Sequence, residues 1–304
     1  MIKKIDLTVG NIDNLVNFYK EGYLELLKIV QTNNLLGKSN VQKLSLMAQV
    51  DKILLELDEG TKVWIGANIP EMYRQGSVDM VNELNKLKGE VKITDFNSLH
   101  QDAVRVIADE SYLGFAEALK TVKRDIVSTF GLVTKQEIVG ELATGIISGK
   151  TLPQVQKDIQ AVLKDHGVVS LIDKGGKTWQ LDTYSEMLVR TKMVEAYRVG
   201  GELRLIENGY DLVQITVHGA ADDCRLVEGK VYSLTGRTPG YPNLDEIMNM
   251  SNHIFRPNCR HRTIPYISEL EKNPDEFKRL SNKDQEIKDK TLRKVGFSTI
   301  GDGR

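Results

Sequence analysis

The sequence has only two cysteines in 304 residues, so it holds no disulfide framework, and a reducing compartment is expected. It has no excess of either charge. Its 41 basic and 42 acidic side chains give a formal net charge of −1, which excludes a global basic field for nucleic acid and leaves only local contacts. No apolar run approaches bilayer-spanning length. The opening Met1-Ile2-Lys3-Lys4-Ile5-Asp6 follows its lysines with no long apolar core, so no secretory signal is expected. Phosphate-cradling loops are missing as well. No GxGxxG occurs, and Gly149-Lys150-Thr151 and Gly176-Lys177-Thr178 have Thr144 and Leu171 where a P-loop needs its first glycine. That sets aside an ATPase.

What remains is 40% hydrophobic and 27% charged, an ordinary balance in a chain long enough for two domains. The first half carries helical periodicity. Ile12, Leu15, Val16, Tyr19, Tyr23 and Leu26 share one face, and Leu44, Met47, Val50, Leu54 and Leu57 another. Ser39 with Gln42 makes a capping box, and Gly60 is expected to end that helix. A segment from Trp64 to Leu87 is expected to break near Ile69-Pro70. A longer helix is expected from Asn97 to Phe130, with Val104, Ala108, Phe115, Leu119, Val122 and Ile126 inward. Thr134 and Thr151 start two more.

The character changes near residue 167. Lys177–Leu181 reads as extended, Thr183 with Glu186 caps a helix over Tyr184–Val199 that Gly200-Gly201 closes, and a second helix reaches Asn208-Gly209. Its expected inward residues are Tyr184, Met187, Leu188, Thr191 and Val194, with Glu186 and Arg190 paired one turn apart. Leu212–Val217 alternates with the period of a strand, and Lys230–Leu234 and Arg262–Ile267 read as two more. The fold class is therefore α+β. A helical region over 1–166 precedes a small α+β domain over 167–268, and 269–304 forms a charged, partly helical tail.

Two polar islands hold the rare side chains. The first is His218-Gly219-Ala220-Ala221-Asp222-Asp223-Cys224-Arg225, and the second is Phe255-Arg256-Pro257-Asn258-Cys259-Arg260-His261-Arg262. A thiol and an imidazole on each arm make His218, Cys224, Cys259 and His261 candidate ligands for one tetrahedral zinc ion. Cys259 and His261 are two apart, so in an extended segment they point the same way. Zinc-knuckle spacing is missing, and His253, Asp222 and Asp223 are alternative donors. The other reading is a hydrogen-bonded clasp with the cysteines as small buried hydrophobes. Arg256, Arg260, His261 and Arg262 are expected to pair with Asp222, Asp223 and Glu228. A metal-dependent nuclease would need the second island to run into a helix. It runs instead into strand-like Thr263-Ile264-Pro265-Tyr266-Ile267.

The order of these elements over 184–267 resembles the MuF-like head morphogenesis proteins, or minor capsid proteins, of tailed phages. The resemblance is carried by Met187-Leu188-Val189-Arg190-Thr191 and by the strand ending in His218. It continues through Asp223-Cys224, Gly229-Lys230-Val231-Tyr232-Ser233-Leu234 and Arg256-Pro257-Asn258-Cys259-Arg260-His261. It implies a non-enzymatic role in head assembly at the portal vertex, inside the virion, after synthesis in the host cytoplasm. The implied partners are a portal protein, a major capsid or scaffolding protein, and packaged DNA with which the protein leaves. Arg190, Thr191, Asp223, Gly229, Pro257, Asn258 and Arg260 are then structural motif positions, and Arg190 and Thr191 are expected to anchor their helix to the domain core. The alternative is a metal-dependent nuclease or a toxin of a phage-derived element.

Overall fold

A computed structural model describes residues 11–32, 40–88, 91, 95–132, 170–172, 178–220, 223–251, 254–257 and 259–270. Outside these lie Ser39, the helices expected from Thr134 and Thr151, the boundary at 166, and the tail beyond 270. The elements in order are α1 (Ile12–Thr32), α2 (Asn40–Lys88), α3 (Ser98–Leu132), β1 (Ser170–Ile172), β2 (Thr178–Gln180), α4 (Leu181–Glu207), β3 (Leu212–Ile215), β4 (Val231–Ser233), α5 (Leu244–Ser251) and β5 (Thr263–Pro265). The α+β class is as read from the sequence.

Two compact units interleave along the chain. The first takes residues 1–69 and 106–192, the second 70–105 and 193–304.

In the first unit the apolar faces of α1, α2 and α3 meet. Leu15, Tyr19, Leu26, Val50, Leu57, Trp64, Phe115, Val122 and Ile126 are buried. The Tyr19 hydroxyl reaches Thr61 Oγ1 at 2.7 Å, and the Thr61 hydroxyl donates to the Leu57 carbonyl at 2.6 Å, so this core carries no unpaired hydroxyl at the contact. Gly60 does not end its helix. It lies inside α2, where a Cβ would come 2.4 Å from Phe18 Cε1. The missing side chain makes room for an aromatic ring rather than for a turn. β1 and β2 pair antiparallel, with Leu171 opposite Trp179. This hairpin partner of the 177–181 piece gave no signal in the sequence.

Pro70 also fails to break α2. It costs the bond to the Gly66 carbonyl, yet Ile69 before it and Tyr73 after it are both fully buried, and burial of this kind outweighs one lost bond.

In the second unit α2 and α4 pack at glycine distance. A Cβ on Gly76 would fall 1.8 Å from the Tyr197 carbonyl oxygen, and one on Gly200 would fall 2.1 Å from that of Tyr73. Gly200-Gly201 therefore does not close the helix, which continues to Glu207. The true end is Gly209, with φ of 82°. There Tyr210 N–H bonds the Leu205 carbonyl at 3.1 Å and Gly209 N–H bonds that of Ile206 at 2.9 Å, a Schellman closure. The inward face of α4 is Leu181, Ser185, Val189, Met193, Ala196 and Gly200. Tyr184, Met187, Leu188 and Thr191 are only partly buried, and Val194 is exposed.

The same unit carries a buried polar network that the sequence did not announce. Arg204, 1% exposed, donates from Nε to Ser77 at 2.8 Å and from Nη1 to Glu207. Glu207 meets His100 Nε2 at 3.2 Å, and His100 Nδ1 meets the Tyr73 hydroxyl at 2.8 Å. Asn97 caps α3 by accepting from His100 N–H at 3.2 Å.

The sheet has the order β4-β3-β5, all antiparallel, with Val213 opposite both Tyr232 and Pro265. One face packs with Met80, Leu84 and Leu205 and with α5 through Leu244 and Ile247. Helix α5, capped by Asn243 Oδ1 accepting from Asp245 N–H at 2.7 Å, lies in a stretch for which no element was expected. Asp211 clamps the strand ends through Ser233, Thr235 and Thr238. Burial pushes its carboxyl up, but these bonds outweigh it and hold it below the usual range.

The glycine contacts give a paired expectation for chemical denaturation. Gly76→Ala, which must displace backbone, should destabilise by at least ~2 kcal/mol. Gly66→Ala, where a Cβ meets nothing within 4 Å, should stabilise by ~0.5–1 kcal/mol. A neutral Gly76→Ala would contradict the close packing. Because the Asp211 pKa is lower folded than unfolded, its contribution is full above the unfolded value and is lost as pH falls through the folded one. Asp211→Asn should flatten that acid-side loss, and an unchanged acid limb would show the clamp contributes nothing.

Candidate functional site

The two islands meet at the edge of the sheet. Island one leaves β3, turns at Gly219 (φ 76°), and enters a short 3₁₀ turn over Asp223–Leu226. Val227 and Glu228 N–H groups both bond the Cys224 carbonyl, at 3.0 and 3.2 Å. Gly229, with φ of 70°, returns the chain to the sheet. Its N–H bonds the Ile215 carbonyl at 2.9 Å, so a left-handed position is required there and glycine supplies it. Island two follows α5, begins with Phe255 at φ 57°, and turns tightly. Cys259 N–H bonds the Arg256 carbonyl at 2.9 Å, with Pro257 as the second residue of that turn. The left-handed Phe255 is sterically costly. Its ring is held by the Arg198 guanidinium, 4.6 Å from its centroid.

Glu228 joins the arms. Its Oε1 accepts from the backbone N–H groups of His218 and Ala220, both at 3.0 Å, and from His261 Nε2 at 3.0 Å. The bond from the His218 backbone, then those from His261 and Ala220, outweigh burial and bring its carboxyl down to about 2. A carboxylate only accepts, so Nε2 of His261 carries the proton. In the neutral ring Nδ1 then presents a lone pair to Cys259 Sγ, 3.3 Å away.

The structure thus brings all four proposed ligands to one place, but not around one point. Donor atoms of Cys224, Cys259 and His261 lie within 4.8 Å of one another, and so do those of His218, Glu228 and His261. His261 belongs to both groups through opposite ring nitrogens. The His218 ring lies against that of His261 at 4.0 Å between centroids, and its Nδ1 is 3.7 Å from Glu228. Cys224 and His261 are 3% and 1% exposed. His253, Asp222 and Asn258 fall outside the described residues. Asp223 contributes backbone to the 3₁₀ turn, while Pro257 and Arg260 are exposed.

Arg190 and Thr191 do not make the anchoring bonds expected of them. Arg190 donates to Glu186 at 3.0 Å on the exposed side of α4, and Thr191 donates to the Met187 carbonyl at 2.7 Å, so both bonds stay inside their own helix. The acid that pairs with island two is Glu228, through His261. Glu228 was one of three acids expected to pair with the cluster of Arg256, Arg260, His261 and Arg262, and within that cluster it bonds His261. Its position immediately before the left-handed Gly229 is the signal that could have marked it.

Replacing Glu228 with Ala should lower the melting temperature clearly more than replacing His218 with Ala, because it strands three donors rather than one ring contact. Equal shifts in the two variants would remove Glu228 from the centre of the clasp.

The family described as Phage minor capsid protein 2 matches residues 115–294, more than half of the chain. A relative named "Structural protein" from Lactococcus phage LL-H is 26% identical over 160 residues, which is 48% of this chain and 43% of that protein. The chain therefore spans less than half the length of that relative. No solved structure gives a significant match. The chain belongs to the phage minor capsid protein 2 family.

Proposed function

We propose that this protein acts as a structural, non-catalytic component at the portal vertex of a phage head, is assembled into it in the host cytoplasm, and leaves with the DNA. The family match over residues 115–294 carries the capsid role, and the relative named as a structural protein supports it. Four features favour the finer reading. In the first unit, Val106, Leu113 and Val127 remain 52%, 58% and 46% exposed along α3. They are spaced by seven or fourteen residues, so they line up on one side of the helix, with exposed Lys120 in the same line, and a partner with both apolar and acidic groups would fit that side. Among the described residues no helix is long and apolar enough to cross a membrane. The net charge of −1 disfavours DNA as the main partner, so a protein surface is the natural occupant of that face. His261 leads into β5 and not into a helix, which weighs against the hairpin-to-helix layout of a metal-dependent nuclease.

The test is co-expression with the portal and major capsid proteins of the same phage. The wild-type chain should copurify with portal assemblies and do no harm to cells when expressed alone. Val106→Glu with Leu113→Glu should leave stability within about 0.5 kcal/mol, as expected for exposed positions, and should abolish copurification. Retained copurification would remove this face from the interface. Toxicity on expression alone would favour the toxin or nuclease reading.

A further inference from the structure

We propose that Cys224, Cys259 and His261 bind one zinc ion through Sγ, Sγ and Nδ1, and that Glu228 is the positioning residue that sets His261 for it. This stands apart from the capsid reading and does not depend on it.

The geometry comes first. Tetrahedral zinc with sulfur at about 2.3 Å and nitrogen at about 2.0–2.1 Å sets its ligand atoms roughly 3.5–3.8 Å apart. Cys259 Sγ and His261 Nδ1 are already 3.3 Å apart, and the three donors span no more than 4.8 Å. Binding would draw the most distant pair of donors together by about 1 Å. The two arms that supply the donors are fixed independently. Cys224 is held by the 3₁₀ turn that its own carbonyl closes. Cys259 is held by the turn after Arg256, and its side chain packs against the core that contains Ile254 and Val227.

The chemistry agrees. Soft thiolates with an imidazole suit zinc and not magnesium or calcium. Each thiol gives its proton to solvent on binding, so two thiolates and a neutral imidazole balance the two charges of the ion. The second nitrogen of a metal-bound histidine ordinarily donates to a carboxylate or carbonyl. Here Nε2 already meets Glu228 Oε1, which two backbone N–H groups hold in place.

The same geometry removes His218 from the ligand set. Its Nδ1 is near Glu228, whereas Cys259 Sγ lies at His261 Nδ1 and the group of donors formed by Cys224, Cys259 and His261 does not include His218. An ion held by His218, Glu228 and His261 would require Nε2 to lose its proton. It would also draw Glu228 away from the His218 and Ala220 amides. The sulfur site requires neither change.

The experiment uses the full chain, purified without a histidine tag, loaded with zinc and dialysed. Metal content by mass spectrometry should be about one zinc per chain. It should be lost in Cys224→Ser and in Cys259→Ser and kept in His218→Ala. Glu228→Gln should keep the site with zinc affinity about 10–100-fold weaker. To separate metal loss from misfolding of the serine variants, the wild-type chain is also titrated with cobalt(II). Thiolate-to-cobalt charge-transfer absorption should grow to one equivalent, zinc should abolish it, and zinc should protect both cysteines from iodoacetamide. A folded wild-type chain that takes up no metal would overturn the proposal. So would loss of zinc in His218→Ala equal to that in the cysteine variants, or alkylation at one rate with and without zinc.

Discussion

A single carboxylate oxygen organises the region that the family resemblance singles out. Glu228 Oε1 accepts from two backbone amides of island one and from a ring nitrogen of island two. The amides fix the loop after β3, and the ring bond fixes which nitrogen of His261 carries its proton. Everything on the thiol side follows from that choice, because a histidine turned the other way would aim an N–H at Cys259. Burial raises the stakes. His261 is 1% exposed, so a lost partner there would not be replaced by water.

The second unit rests on a different constraint, the distance between two helix backbones. Gly76 and Gly200 each sit where the other helix presents a carbonyl oxygen. A helical glycine costs about 1 kcal/mol against alanine, and here two of them allow an approach that places Met80 and Leu84 of α2 beside Leu205 of α4 in the core under the sheet. The Arg204–Glu207–His100–Tyr73 network lies between the same segments. Buried charge of this kind is weak evidence of stability, but it disfavours any other pairing of these helices, since a shift would leave Arg204 uncompensated.

What the sequence made legible follows from how rare each signal was. Two cysteines and a few histidines in two short islands stand out from 304 residues, and the structure brings Cys224, Cys259, His218 and His261 together. Alternation marked β3, though the strand expected to reach Val217 ends at Ile215, and Val217 is 69% exposed. Glu228 was one of three acids expected to face the second island, and its place before Gly229 marks a turn without saying that one acceptor oxygen serves both arms. The helix ends misread at Gly60, Pro70 and Gly200 share one cause. Glycine and proline report a backbone cost, and only the partner surface decides whether burial or close approach offsets it. The same ambiguity shifted the inward face of α4, where Ser185 is buried and donates to the Leu181 carbonyl at 2.6 Å.

The most direct test of the account is the position of the proton on His261. Long-range ¹H–¹⁵N correlation spectra of the uniformly labelled chain at neutral pH distinguish the two ring nitrogens. With Glu228 present, the account predicts an Nε2–H tautomer whose Nδ1 carries no proton. A neutral ring with its proton on Nδ1 and none on Nε2 would contradict it, because Glu228 would then not be accepting from the ring and Nδ1 would be closed to the thiol side.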